Sequence, residues 1–216
     1  MVKTKEKDFV EIDYVGKIKD NNKIFDLTDK EVAKKEGLYN SHTKYGSKII
    51  CIGENQILKI IDGFLVDKEI GENYLLDIKA GEAFGKKDPS LIKIISADIL
   101  KKQKINPVPG LQINASGLLG TIRSVNGGRI SVDFNHPLSG KNLIYDIKIN
   151  RIVENDEEKL KSLVENMLGL SKQEYSLEIK ESKAQIKIKP IIPSKAKDEV
   201  KNKAKNLIPG LEVTFN

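Results

Sequence analysis

The sequence contains little cysteine, histidine or tryptophan. Cys51 is the single cysteine among 216 residues, which excludes an intramolecular disulfide and fits a reducing compartment. Tryptophan is absent, and His42 and His136 are the only histidines. Without a GxSxG, HExxH or P-loop motif, the chain has no recognisable serine-hydrolase, zinc-protease or nucleotide-binding site. We therefore expect no metal and no other cofactor, a buried Cys51, and a hydrogen-bonded loop histidine at His136.

Long hydrophobic runs are also absent. The first residues, MVKTKEKDFV, lack the apolar stretch of a signal peptide, and no later segment approaches the roughly 18 apolar residues of a membrane-spanning helix. We therefore expect a soluble, cytoplasmic protein that does not enter a membrane. Hydrophobic residues make up 39% of the chain, so a buried core is possible, and the length allows one large domain or two to three small ones.

Positive charge is concentrated in one part of the chain. The net charge is +6, and residues 86–132 contain eight Lys or Arg residues against two acidic ones. Such local basicity could attract nucleic acid or acidic unfolded chains. A solvated, lysine-rich surface without a partner is the alternative interpretation.

Hydrophobic periodicity divides the chain into three parts. In the first, residues 9–17, 48–52, 74–79 and 143–149 have the pattern of strands, and a short helix is predicted that begins at Asn55 and ends at Gly63. In the second, after Gly85, the pattern predicts a loop and then a β-rich unit with a hairpin whose strands, 118–125 and 129–134, flank Asn-Gly-Gly at 126–128. In the third, beyond Arg151, the order is helix, two strands, helix, strand, with Asn155 and Ser194 predicted as the N-terminal caps of the two helices.

Four segments occur in an order that is typical of one family. They are IDYVGKIKDNNKIFD at 12–26, IGENQILKIIDGF at 52–64, AGEAFGKKD at 80–88 and DFNHPLSGKNLIYDI at 133–147. Together they resemble the FKBP-type peptidyl-prolyl cis/trans isomerases. The wide gap between Gly85 and Asn135 further resembles the SlyD-like branch, in which a second small domain is inserted in the flap. The resemblance covers about residues 8–153, and the additional C-terminal part resembles the long archaeal members of the family.

The resemblance implies an α+β protein with three domains. Residues 1–86 and 132–153 would form the FKBP half-barrel, an antiparallel sheet wrapped on a short helix. Residues 87–131 would form a β-rich insert-in-flap chaperone domain, and residues 154–216 a C-terminal α-β-β-α-β domain.

Because the apolar stripe from Leu160 to Leu168 looks too large for the thin second helix to cover, we expect a homodimer through this last domain, with packing against the isomerase domain as the alternative.

The chemistry of an isomerase needs a pocket rather than a nucleophile. Rotation about an X-Pro bond is slow because amide resonance must be broken, and a water-poor pocket favours the less polar, twisted amide. The resemblance implies an apolar wall with Asp26 as its acidic anchor and the Leu58 N–H as a donor to a substrate carbonyl. Ile61 and Phe84 stand where the family usually has tryptophan and tyrosine. The full implied set is Tyr14, Phe25, Asp26, Ile57, Leu58, Ile61, Phe84 and Tyr145.

The predicted function is therefore prolyl isomerisation combined with chaperone activity on unfolded or nascent polypeptides. Two other functions stay open. One is a nucleic-acid or ribosome-binding protein on an FKBP scaffold, although the C-terminal part lacks the GxxG loop of KH domains and the aromatic-basic strand of RRM domains. The other is a catalytically silent dimeric scaffold, if the residues at 61 and 84 disable the pocket.

Overall fold

Twelve strands and five α-helices make up the protein in the computed structural model, which describes residues 2–102, 104–115 and 117–216. This confirms the predicted α+β class. In chain order the elements are β1 (Phe9–Ile18), β2 (Ile24–Leu27), α1 (Lys30–Lys35), β3 (Lys48–Cys51), α2 (Lys59–Phe64), β4 (Asn73–Ile78), a 3₁₀ turn (Pro89–Leu91), β5 (Ile92–Ser96), α3 (Ala97–Lys102), β6 (Gln112–Ala115), β7 (Leu118–Asn126), β8 (Arg129–Asp133), β9 (Leu143–Ile152), α4 (Asp156–Leu168), β10 (Tyr175–Lys180), β11 (Lys183–Ile188), α5 (Ser194–Leu207) and β12 (Glu212–Phe215).

The chain divides into two compact units. Unit 1 contains Met1–Ile78 and Leu143–Asn216, and unit 2 contains Lys79–Asn142. No described helix is long and apolar enough to cross a membrane.

The main sheet of unit 1 is antiparallel and centred on β1 and β9. Its order is β2-β1-β9-β4, and β3 also pairs with β1. Alternate residues of β9 are buried, as the sequence pattern predicts for a strand with one face on the core. The pattern had placed this strand at 143–149, and pairing with β1 extends it to Ile152.

The helix that follows β3 begins later than predicted. Asn55 does not cap it, because Asn55 adopts a left-handed conformation with φ of 53° and its N–H donates to Asp62 Oδ2 at 2.8 Å. Leu58 occupies the cap position instead, so Ile57 and Leu58 precede α2 rather than belonging to it. Gly63, predicted as the stop, lies inside the helix. The buried Asp62 causes the difference, since it holds residues 53–55 as a loop.

The C-terminal segment, residues 154–216, has the predicted α-β-β-α-β order. Asn155 caps α4 by accepting a hydrogen bond from the Glu158 N–H at 3.0 Å, and Gly169 ends the helix in the left-handed conformation. The three strands have the order β10-β11-β12, with an antiparallel first pair and a parallel second pair. Helix α5 starts at Ser194 with Pro193 in the cap position, so the predicted Ser194 cap is wrong.

The apolar stripe of α4 is covered, which corrects the expectation that it would stay open. Leu160, Leu163 and Val164 are fully buried. They share one hydrophobic cluster with residues of α5 and of the C-terminal sheet, and also with Phe9 and Cys51 of the main sheet. The prediction counted only the thin second helix as a cover. The main sheet supplies the remaining surface, as in the alternative arrangement.

Unit 2 is a small four-stranded sheet with the order β5-β8-β7-β6. Strand β5 and helix α3 occupy a stretch for which the sequence pattern predicts a loop, because both elements are short and three of the five residues of β5 are exposed. The predicted hairpin is present, but its two-residue turn is Gly127-Gly128, since Asn126 still pairs with Arg129. Both turn glycines have positive φ, which matches the twist of the strands. Its core includes Leu100, Ile122, Ile130 and Val132.

Candidate active site

Three aromatic side chains from adjacent strands of unit 1 form one cluster. Tyr14 lies on β1, Phe25 on β2 and Tyr145 on β9, and both outer strands pair with β1. The ring centroids of Tyr14 and Tyr145 are 5.9 Å apart at an angle of 55°. Those of Phe25 and Tyr145 are 5.7 Å apart at 82°, an edge-to-face contact. The buried ring of Tyr145 thus forms the centre of the cluster.

Gly16 makes this cluster possible, and the sequence analysis did not identify it as a site residue. It pairs with Tyr145 on one side and with Asp26 on the other. A Cβ atom at this position would lie 2.9 Å from Cε1 and Cζ of Tyr145 and 3.0 Å from Cζ of Phe25. Glycine is therefore required because there is no room for a side chain, and not because of the backbone conformation, since Gly16 has no positive φ. A glycine in the middle of an apolar strand was the available signal.

Asp26 follows Phe25 at the edge of the cluster. Its carboxylate accepts a hydrogen bond from the Tyr14 hydroxyl. Although the residue keeps contact with solvent, surrounding protein atoms desolvate the carboxyl and raise its pKa, against the lowering effects of Lys48, the Tyr14 hydroxyl and the Leu27 N–H. Burial, and secondarily the charge of Asp26, also raises the pKa of Tyr14 and of Tyr145. Both phenols therefore stay protonated.

The aliphatic residues of the implied pocket lie on one segment of unit 1. Ile61 is fully buried on α2, and Ile57 and Leu58 are half-buried just before the helix. The carbonyl of Leu58 accepts the first helical hydrogen bonds, from the Ile61 and Asp62 N–H groups. Within the described residues, the Leu58 N–H donates to no protein acceptor.

Phe84 belongs to unit 2. Its ring stacks on His136 with centroids 4.6 Å apart and planes 1° from parallel. The Phe84 carbonyl accepts from Ser139 Oγ at 2.8 Å, and His136 Nδ1 accepts from the Leu138 N–H at 3.2 Å. His136 is thus a hydrogen-bonded loop residue, as expected from its turn-rich surroundings.

The structure supports neither of two other kinds of reactive site, a cysteine nucleophile and a metal centre, in the described residues. Cys51 is buried, and burial, with a contribution from Asp62, raises the pKa of its thiol to about 12. In the part of the chain that the structure describes, no three His, Cys, Asp or Glu residues are grouped to hold a metal ion.

Comparison with known proteins shows similarity to peptidyl-prolyl isomerases. Residues 93–138 match the family described as "FKBP26, IF domain". The chain is 28% identical over 148 residues to a short-type peptidyl-prolyl cis-trans isomerase of Methanocaldococcus jannaschii, covering 68% of this chain and 93% of that protein. It is 27% identical over 105 residues to an FKBP-type 16 kDa peptidyl-prolyl cis-trans isomerase of Escherichia coli, covering 47% and 70%. The SlyD protein of Helicobacter pylori is 28% identical over 112 residues, covering 50% and 60%.

The chain is similar to FKBP-type isomerases, and its residues 93–138 match the insert-in-flap domain of that family. The structure brings together Tyr14, Phe25, Asp26 and Tyr145, and it places Ile57, Leu58 and Ile61 close together in sequence around the start of α2. The assignment to the long archaeal type stays a prediction.

We predict that Gly16→Ala destabilises the protein by about 1–3 kcal/mol, because the new methyl group must displace the packed rings of Tyr145 and Phe25. Urea unfolding measures the loss, and the near-ultraviolet circular dichroism of the tyrosines reports the displaced rings.

Gly63→Ala is the matched control for this substitution. Gly63 lies in α2 with no atom within 4 Å of the added Cβ and no positive φ. Alanine should therefore stabilise that helix by about 0.5–1 kcal/mol. Equal effects of the two substitutions would contradict the steric role of Gly16.

Proposed function

We propose that this protein catalyses cis/trans isomerisation of X-Pro bonds in unfolded polypeptides. The observation that carries the proposal is the Tyr14–Phe25–Tyr145 cluster with Asp26 at its edge. The relatives named above are themselves called peptidyl-prolyl cis-trans isomerases. The single buried, unpaired cysteine fits a cytoplasmic location.

The aromatic cluster would act by desolvation. A proline ring packed against Phe25 and Tyr145 brings its amide into a region with little water, and the twisted amide of the transition state is less polar than the planar one. Desolvation by the surrounding protein raises the pKa of Asp26, which is in keeping with this proposal. No covalent bond forms or breaks, so no nucleophile is required.

Two polar groups would orient the substrate. The Leu58 N–H has no protein acceptor among the described residues and is free to donate to a substrate carbonyl. Asp26 is held by the Tyr14 hydroxyl and provides a fixed negative pole at the pocket edge. Ile61, in place of the usual bulky aromatic residue, makes this part of the pocket aliphatic and slimmer, so binding relies more on the three rings.

Unit 2 would hold unfolded clients. Ile94, Leu118 and Leu119 on its strands are large, apolar and mostly exposed, at 71%, 60% and 59%. Exposed apolar side chains of this size favour contact with other proteins. Client held at the insert would raise the local concentration of X-Pro bonds at the pocket. We accordingly retain the domain boundaries 1–86 with 132–153, 87–131 and 154–216 as a proposal.

We predict that the protein accelerates isomerisation of an X-Pro peptide and that Phe25→Ala lowers kcat/KM about tenfold or more, since lost apolar contact in a pocket is worth roughly 1–3 kcal/mol. Asp26→Ala should also lower it, by removing the partner of the Tyr14 hydroxyl. Phe84→Tyr, which restores the usual family residue, should leave activity equal or raise it.

Phe215→Ala is the control for Phe25→Ala, because Phe215 is a half-buried phenylalanine on β12 outside the pocket. It should leave kcat/KM unchanged, and far-ultraviolet circular dichroism should be the same for all variants. Wild-type activity no greater than that of buffer would disprove the proposed function.

A second prediction separates client binding from catalysis. Replacing both Leu118 and Leu119 by Ser should slow proline-limited refolding of a whole protein several-fold, while isomerisation of a short peptide changes by less than about twofold, because short peptides need no second contact. Leu75→Ser, at a leucine of unit 1 that is 70% exposed, is the control. If it slows refolding equally, the insert is not the client site.

Homodimerisation through the C-terminal segment stays a prediction. The stripe from which it was inferred is buried, and the outward residues of β10 and β11, Ser176, Glu178, Lys183, Gln185 and Lys187, are polar. Any dimer contact would therefore be polar or involve exposed Ile191. Light scattering tests the state directly: a dimeric mass is expected, and a monomeric mass at every concentration would refute it.

A further inference from the structure

The C-terminal helix α4 reaches the loop that precedes the pocket residues Ile57 and Leu58. Its contact residue is Asn166, which is half-buried. The two N–H bonds of the Asn166 amide have two acceptors: the backbone carbonyl of Ile49 on β3, at 2.9 Å, and Oε1 of Gln56, at 3.4 Å. One side chain of the C-terminal segment is therefore bonded to both sides of the β3–α2 loop.

Gln56 connects this contact to the adjacent residues Ile57 and Leu58. Its Oε1 atom accepts from Asn166 and also from the Cys51 N–H at 2.9 Å, so both lone pairs are in use. Gln56 directly precedes Ile57. A shift of its side chain therefore moves the backbone that carries Ile57 and the Leu58 N–H.

Two further contacts hold the same loop. Lys203 on α5 pairs with Glu54, whose side chain is only 17% exposed. From the other side, Asp62 on α2 accepts from the Gly53 and Asn55 N–H groups at 2.9 and 2.8 Å. Gly53 and Asn55 both have positive φ, so the loop has a conformation that needs such support. Asp62 fixes the loop to the helix, and the C-terminal segment fixes it to the rest of unit 1.

We propose that Asn166 is a positioning residue of the isomerase: through Gln56 it sets the place of Ile57 and of the Leu58 N–H. This inference rests on the proposed function, and it gives the C-terminal segment a part in catalysis without contact to substrate. A donor moved by a fraction of an ångström binds the transition state less well, because such contacts depend steeply on geometry.

The test is Asn166→Leu in the full-length protein. Leucine has a similar size but donates no hydrogen bond, so Gln56 loses one partner. We expect kcat/KM on an X-Pro peptide to fall about three- to tenfold, the size expected when a residue outside a site biases it. The amide resonance of Leu58 should shift in nitrogen–proton NMR spectra. Asn166→Gln, which keeps both N–H donors, should restore most of the activity.

Asn202→Leu is the matched control, since Asn202 is an exposed asparagine on α5. It should leave both kcat/KM and the Leu58 resonance unchanged. If the wild-type protein is active and Asn166→Leu behaves like Asn202→Leu in either measurement, the proposal is wrong. Should Asn166→Leu not fold, Gln56→Leu breaks the same bond from the other end and is judged by the same two measurements.

The NMR measurement separates this inference from the proposed function. A wild-type protein without isomerase activity would refute the function. The Leu58 resonance would still decide the positioning: a shift in Asn166→Leu supports it, and no shift refutes it.

Discussion

The close approach of Tyr145 to Gly16 is the constraint on which the site depends. Strand β1 lies between β2 and β9, and the ring from β9 lies across the backbone of β1 at the one residue without a side chain. This lets the rings of Tyr14, Phe25 and Tyr145 meet on one face of the sheet instead of being separated by a strand. A larger residue at position 16 would push the rings apart. The shape of the pocket therefore depends on the sheet register that places Gly16 opposite Tyr145.

The electrostatics of the cluster follow from the same packing. Protein atoms around Asp26 raise its pKa, and the buried phenols of Tyr14 and Tyr145 keep their protons. A site that penalises a carboxylate also penalises a polar, planar amide relative to a twisted one. Desolvation is thus the common cause of the raised pKa of Asp26 and of the chemistry proposed for the site.

Sequence patterns predicted the strands of unit 1 and both C-terminal helices, because alternation and capping are local signals. The residues of the aromatic cluster came instead from the resemblance to the FKBP-type isomerases. The patterns failed where a distant residue decides the local structure. Asp62 takes the Asn55 N–H and so moves the start of α2, which no pattern around Asn55 reveals. The cover of Leu163 by the main sheet depends on tertiary packing between segments more than 100 residues apart in sequence. The sequence shows a glycine in a strand at position 16, but it does not show that the rings of Tyr145 and Phe25 pack against it.

The shared core changes the part that the C-terminal segment can play. A domain joined only by a flexible link moves independently and affects catalysis through concentration alone. Here Phe9 and Cys51 of the main sheet pack in the same cluster as Leu160 and Val200, so the segment and the sheet behave as one body. The loop between β3 and α2 lies at this junction and is bonded from both sides. Ile57 and the Leu58 N–H therefore take their positions from packing that extends well beyond the half-barrel, which an isolated FKBP sheet would not supply.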